Sequence, residues 1–353
     1  GTVRIGVNLP LSGNLASYGK TTLAGIALRV EQLNQAGGVN GMRIEVVTED
    51  NKGDATEAVN VFNKLAASDK VSAVIGPITS TNALACRRAA RDLRVPLVSP
   101  TATNDKVTLK SGYVFRACFN DSFQGNIVAT HAARNLGVKK AAAFVDMNSD
   151  YSKGLAASFE AAFTAAGGAV VATESYQQKD TEFGAQLRKI KDSGAELLFV
   201  PGYPPEVPLI VKQAKVSGLT CRLCGADGWD NEAVINGAGP NIEGSFIVGA
   251  FSPDDTRPVV RAFLEAFAAR GEPRPGSFQA LGYDAMSMVA AAMKDGTTPA
   301  AIQAGLKQIR GLEAVTGAIT VSADGETEKS AVVLDIVRDG DTFKTRFRTT
   351  VAP

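Results

Sequence analysis

Hydroxyl side chains gather where the chain leaves its apolar runs. In "VIGPITSTN" the run Val71–Ile75 stops at Gly76-Pro77, and Thr79, Ser80 and Thr81 follow before a helical pattern starts at Asn82. "SPTATND" does the same after Val98, with Thr101, Ala102 and Thr103. Hydroxyls and backbone N–H groups at helix starts are chemistry for holding a carboxylate or a phosphate. A phosphate loop would carry more glycine, and neither GxxxxGK[ST] nor GxGxxG occurs. "GADGWDN" has the opposite polarity: Asp227 sits among Gly225, Gly228 and Trp229. An acid set against an anion-binding turn suits a zwitterion. Taken singly, each turn reads equally well as a plain N-cap, with Ser80 or Thr81 capping the helix that follows. Several such turns in one chain favour a binding site. "PGYPPE" and "DMNSDYSKG" add Tyr203 and Tyr151 at similar places.

Catalysis finds little support. His131 is the only histidine, and it lies in a helical pattern, "IVATHAARNLG", where a surface or partly buried position is expected. No GxSxG elbow and no HExxH is present. Acidic pairs are plentiful, but none has a distinguishing spacing. No catalytic residue, metal site or cofactor is expected, and an enzyme is the least supported class. The four cysteines are Cys86, Cys118, Cys221 and Cys224. "CRLC" reads as part of a strand, where the two Cα atoms would lie about 10 Å apart, too far for a disulfide. Without a second CxxC or a His pair it is no zinc site either. Both are expected to be small, buried residues. A Cys86–Cys118 pair across a helix and a strand stays open.

The elements that must position these turns alternate. Val3–Leu9, "MRIEVVTED", "VSAVIG" and "VPLVSP" are strand-like, separated by helical patterns over Tyr18–Ala36, Thr56–Ala67 and Asn82–Leu93. The alternation resumes with "AAAFVDMN", "GGAVVATESYQ", "AELLFVPGY" and "GLTCRLCGAD", separated by helices over Ser152–Ala166, Phe183–Asp192 and Glu206–Ser217. This is the grammar of parallel sheets covered by helices. In such sheets ligands gather at the carboxyl ends of strands, where the polar turns fall. The two series also resemble one another. Each runs Ala-Gly-Gly, strand, Asp-containing loop, helix and apolar strand, with Asp54 and Asp180 in matching places as N-cap or first-turn acids. Two similar lobes are therefore expected. The last third is less regular, with helices over Pro258–Arg270, Phe278–Lys294 and Thr298–Gln308. Strands then turn at Asp324-Gly325 and Asp339-Gly340.

With 353 residues, 45% of them hydrophobic, the chain can bury more than one core. Its net charge of +1 is spread evenly, which speaks against a nucleic-acid partner. The apolar runs fall short of the roughly 20 residues of a membrane span, so direct membrane insertion is not expected. The chain opens directly in a strand, "TVRIGVNLP", which suits a cytoplasmic protein or a processed secreted one.

"IGVNLPLSGNLASYGKTTLAGIALRVEQLNQAGGVNGMRIEVV", "VIGPITSTNALA", "VPLVSPTATND", "FRACFNDSFQG", "GADGWDN" and "ALGYDAMSMVAAAM" together resemble the substrate-binding proteins of branched-chain amino acid ABC transporters, over nearly the whole chain. The resemblance implies an α/β type I periplasmic binding protein: two Rossmann-like lobes with parallel-sheet cores, a three-strand hinge, and closure on the ligand. Lobe 1 is expected over 1–120 and 250–325, and lobe 2 over 121–249 and 326–353. By position, Ser80 would hold the ligand carboxylate through its hydroxyl and N–H. Thr103 would offer its N–H to the carboxylate and its hydroxyl to the ammonium, and Thr101 its C=O to the ammonium, with Ala102 in the same turn. Asp227 would pair with the ammonium, and Tyr203 would reach the carboxylate. Tyr151 and Tyr18 would line the side-chain pocket, with the segment from Phe278 to Tyr283 closing one side.

Position 227 is Asp where the leucine/isoleucine/valine-binding members carry Glu, and Tyr18 stands where they have Trp. Trp229 would add an aromatic beside the ammonium. The implied partners are an amino acid and the membrane permease of an ABC transporter, and the implied location is periplasmic or extracellular, with or without a lipid anchor. The alternative is a ligand-sensing domain of the same fold that takes an amide, a γ-amino acid or an aromatic acid.

Overall fold

The structure, a computed structural model, describes residues 1–353. It divides into two compact units. Unit 1 comprises 1–120 and 255–330, and unit 2 comprises 121–254 and 331–352. The chain thus passes from one unit to the other at 120–121, 254–255 and 330–331.

Unit 1 is built on strands β1 (Thr2–Leu9), β2 (Arg43–Asp50), β3 (Ala73–Ile75), β4 (Leu97–Ser99) and β5 (Val114–Arg116). They form one parallel sheet in the order β2-β1-β3-β4-β5. All three residues of each of β3, β4 and β5 are buried, as expected where both faces are covered. Helices α1 (Ala16–Gln35), α2 (Ala55–Asn63) and α3 (Ser80–Leu93) connect the strands. Asp54 caps α2, its carboxylate accepting from the Glu57 N–H at 2.9 Å. Phe62, Leu65, Val74, Ala83 and Leu97 form the heart of the core between α2, α3 and the sheet.

Unit 2 repeats the plan with α4 (Asp121–Thr130), β6 (Lys140–Asp146), α5 (Asp150–Ala165), β7 (Ala169–Tyr176), α6 (Gly184–Asp192), β8 (Leu197–Phe199), α7 (Glu206–Val216), β9 (Arg222–Cys224), α8 (Glu232–Ile235) and β10 (Phe246–Gly249). After it, α9 (Pro258–Ala269), α10 (Ser277–Ala292), α11 (Pro299–Leu306) and the short pair β11 (Thr320–Val321) and β12 (Thr327–Glu328) belong to unit 1. Then β13 (Ala331–Asp339) and β14 (Thr342–Val351) complete a seven-stranded sheet in unit 2, ordered β14-β13-β10-β9-β8-β6-β7. In the last hairpin β13 runs antiparallel to both β10 and β14, and the chain turns at Gly340 as the Asp-Gly pair suggested.

Helix α10 lies against α1 through two glycines. A Cβ on Gly25 would sit 1.9 Å from the Gln279 carbonyl oxygen, and one on Gly282 would sit 2.3 Å from that of Thr22. Only glycine permits that approach. It fixes Tyr18 of α1 against Phe278 of α10.

Several expectations need correction. Asp180 does not cap α6. It closes its own turn by accepting from the Gln177 N–H at 2.8 Å, and the residue at the cap position is Phe183. The stretch 326–330, expected in lobe 2, packs in unit 1, because Glu326 and Lys329 are bonded to Arg116 and Ala117. Residues 250–254, expected in lobe 1, fall in unit 2, where Asp254 accepts from the Phe347 N–H. His131 is buried, in a π-helical turn that follows α4, with its ring edge-on to Phe246. All four cysteines are free; Cys224 is buried and Cys221 half-buried.

Candidate functional site

In unit 1 the turn after β3 is shaped by its backbone. Gly76 has φ +103°, and a Cβ there would lie 2.1 Å from the Asn8 carbonyl oxygen. The cap of α3 is Thr79, not Ser80 or Thr81: its hydroxyl accepts from the Asn82 N–H at 3.3 Å. Ser80 is thereby the first helical residue, whose N–H has no acceptor within the helix. Its hydroxyl accepts from the Asn104 N–H at 3.1 Å, which ties the turn after β3 to the turn after β4. A serine hydroxyl that accepts still has its proton to donate.

The turn after β4 is held from several sides. The Thr101 hydroxyl donates to the Ile78 carbonyl at 2.7 Å, and the Ala102 N–H donates to the Ser99 hydroxyl at 3.0 Å. The Arg116 guanidinium donates to the carbonyls of Ala102 and Asn104 at 3.0 and 2.9 Å. Thr103, between those two carbonyls, is fully buried, and its hydroxyl has no partner in the protein. A buried hydroxyl left unpaired costs about 1–3 kcal/mol, so it marks a place where a polar ligand atom would be welcome. Ser80, Thr101, Ala102 and Thr103 therefore come together as one neutral, donor-rich surface. Tyr18 and Phe278 form a separate aromatic pair in the same unit, stacked with ring centres 4.3 Å apart.

Unit 2 presents charge instead. Asp227 is buried at the turn after β9, and its Oδ1 receives both the Tyr151 hydroxyl at 2.9 Å and the Gln124 amide at 3.0 Å. The Gly228 N–H donates to the Tyr151 oxygen at 3.1 Å. The same Gln124 amide also donates to Asp121 Oδ1 at 2.8 Å, so one neutral side chain bridges two acids. No lysine or arginine pairs with Asp227. Burial pushes its pKa up to about 6, against the lowering effect of the Gln124 and Tyr151 hydrogen bonds. Burial and the neighbouring Asp227 carboxylate likewise push the Tyr151 phenol up, so it stays a donor. Tyr203 lies flat on Tyr151, with ring centres 4.9 Å apart and planes 10° apart. Close contact between the turns requires Gly228, where a Cβ would fall 2.7 Å from the Gly202 carbonyl oxygen. Asp227, Tyr151 and Tyr203 are thus one cluster.

Trp229 departs from expectation. Its ring is fully buried in the unit 2 core beside Val200 and Leu198, its N–H donates to the Val200 carbonyl at 2.8 Å, and its face covers Gly225. It supports the acid's turn from below and is no aromatic beside the ammonium. Gln124, Asp121 and Arg116 are neighbours of these turns that residue types alone did not reveal. Gln124 lies 103 positions from the acid it bonds, and only its i+3 spacing from Asp121 hinted at a shared face.

A family model described as "Periplasmic binding protein" matches residues 2–341. The chain is 32% identical to the leucine-, isoleucine-, valine-, threonine- and alanine-binding protein of Pseudomonas aeruginosa, over 82% of this chain and 77% of that one. Among solved structures, the leucine-binding protein LivK of Thermotoga maritima superposes with a TM-score of 0.94 at 30% identity, covering 100% of this chain and 99% of that one. The substrate-binding protein LivJ of Streptococcus pneumoniae, in complex with isoleucine, gives 0.90 at 35% identity, covering 99% and 100%. A solute-binding protein of an ABC transporter from R. palustris in complex with benzoate shares the fold, with a TM-score of 0.88 at 24% identity and coverage of 100% and 98%. The two parallel-sheet units, the polar turns at their strand ends and these likenesses lead to one conclusion: the chain belongs to the periplasmic binding protein family.

Proposed function

We propose that this protein captures an apolar α-amino acid by hinge closure outside the cytoplasm and delivers it to the permease of an ABC transporter. The observation that carries this reading is Asp227, a buried carboxylate that accepts from Tyr151 and Gln124 and has no lysine or arginine paired with it. An ammonium supplies the missing charge, and a buried acid without one is costly. Ser80 and the Thr103 N–H take the ligand carboxylate. The Thr103 hydroxyl and the Thr101 carbonyl assist the ammonium, with Ala102 shaping their turn. Tyr203 adds a donor to the carboxylate, while Tyr151, Tyr18 and Phe278 offer apolar faces to the side chain. Charge-assisted hydrogen bonds shielded from water supply much of the affinity.

The relatives named for leucine, isoleucine and valine support an aliphatic ligand. Asp227 is a shorter acid than the Glu of leucine/isoleucine/valine binders, so the ammonium sits deeper or is reached through water. An aromatic acid without an amine would leave Asp227 uncompensated, which speaks against benzoate-like ligands. Thermal melting with each proteinogenic amino acid, γ-aminobutyrate and benzoate tests the reading. A ligand at a thousand times its Kd should stabilise the fold by about 4 kcal/mol. Aliphatic amino acids are expected to do so. Stabilisation by benzoate alone, or by no amine, would overturn it.

A further inference from the structure

Arg116 is fully buried at the end of β5, yet it reaches the turn proposed to hold the ligand carboxylate and the chain segment that leads out of unit 1. Its Nη1 donates to the carbonyls of Ala102 and Asn104, on either side of Thr103. Its Nη2 donates to the Thr108 hydroxyl at 3.1 Å. Its Nε donates to Glu326 Oε1 at 2.8 Å, and Nη2 also meets Glu326 Oε2. Every donor direction of the fork is aimed, and the bidentate geometry admits little play.

Glu326 is tied in turn to the chain crossings. It also accepts from Asn120, the last residue of unit 1 before the first crossing, and it lies just upstream of the third, at 330–331. The Thr327 hydroxyl donates to the Arg116 carbonyl at 2.6 Å. Burial raises the Glu326 carboxyl, but the Arg116 guanidinium outweighs it and holds the acid below its ordinary range. The pair is therefore ionised and internally satisfied.

We infer that Arg116 and Glu326 are positioning residues for ligand binding: they hold the 101–104 turn in its ligand-receiving shape and join it to the crossing segments. The carbonyls of Ala102 and Asn104 are pulled back toward Arg116, and Thr103 between them is left with its hydroxyl unclaimed. Loosening the guanidinium frees those carbonyls, and the turn loses the geometry on which affinity depends. The inference rests on the ligand role proposed for Thr103.

The test is a double-mutant cycle on the full chain, read by calorimetry and by melting of the ligand-free protein. The probe is whichever of leucine, isoleucine, valine and alanine raises the melting temperature most. Glu326→Gln keeps the shape but removes the charge that orients Arg116 and turns one of its two acceptor oxygens into a donor. It should weaken the probe about tenfold while the free protein still melts cooperatively. Glu326→Asp, which keeps the carboxylate, should bind more tightly than Glu326→Gln and covers the case in which the latter folds poorly. Thr103→Ala should weaken binding by itself, and the double variant should be no weaker than the worse single one. Additive losses, or unchanged affinity in Glu326→Gln with only a lower melting temperature, would overturn the positioning role. Parent-like binding in Thr103→Ala would overturn the ligand role of Thr103 and the positioning role with it, whereas a loss there with none in Glu326→Gln overturns the positioning role alone.

Discussion

The turn of unit 1 and the turn of unit 2 solve opposite problems with similar scaffolds. Around Thr103 the turn's own side chains are neutral, the one charged neighbour, Arg116, is balanced by Glu326, and the Thr103 hydroxyl is left without a partner in the protein. Around Asp227 the hydrogen bonds are in place but the charge is not balanced. On the proposed reading the first turn is shaped before the ligand arrives and needs from it only a partner for one hydroxyl. The second holds a buried carboxylate with no paired cation. On the proposed reading, the second turn selects for an amine and the first orients the ligand.

The sharpest way to break this contrast is Asp227→Ala. Removing the acid should weaken a zwitterionic amino acid by about thirtyfold to several thousandfold in calorimetry, since truncating one partner of a buried charge pair costs about 2–5 kcal/mol. The free protein should tell the opposite story. Asp227 has a folded pKa of about 6, above its ordinary value, so its contribution to stability is present at acid pH and is lost as pH rises through 6. Melts of the ligand-free parent between pH 4 and pH 8 should show this decline, and Asp227→Asn should not. Binding runs the other way: affinity for the amino acid should fall below about pH 6, as the acid takes up a proton.

A smaller effect separates Thr103 from Ser80. Thr103→Val removes a hydroxyl with no protein partner, so the free protein should melt at or above the parent temperature while affinity falls about tenfold, near 1.4 kcal/mol. Ser80→Ala also strands the Asn104 N–H, so it should lower both. Equal melting behaviour in the two variants would remove the distinction drawn between them. The smallest change is expected from Tyr151→Phe. It deletes one donor to Asp227 and should move the pH midpoint of binding upward by a fraction of a unit, as followed by calorimetry across pH.

Much of this arrangement was legible in the residues. Alternating apolar runs gave the strand and helix order, and Gly-Pro and Asp-Gly pairs gave the turns, because these depend on neighbours a few positions away. Asp54 was readable as a cap for the same reason. Its counterpart Asp180 was not, since a loop separates it from the helix it seemed to begin. Which of Thr79, Ser80 and Thr81 caps α3 depends on one residue of register, and three adjacent hydroxyls carry no such information. Trp229 was misjudged because its direction, into the core, follows from the packing of Gly225 and Val200. The links from Gln124 to Asp227 and from Arg116 to Glu326 join residues 103 and 210 positions apart, and no local pattern announces them.

The interlocking of α1 with α10 has a consequence for how the chain is made. The glycines that let these helices touch stand more than two hundred residues apart in the sequence, and unit 2 is likewise completed only by β13 and β14. Contacts of such separation form late and slowly. A nascent chain emerging from the ribosome therefore holds both turns unfinished until its last quarter is synthesised, and neither unit can be excised as one continuous stretch. Through most of its synthesis the apolar strands of both sheets lack their final cover, which is the interval in which a holding chaperone has most to protect.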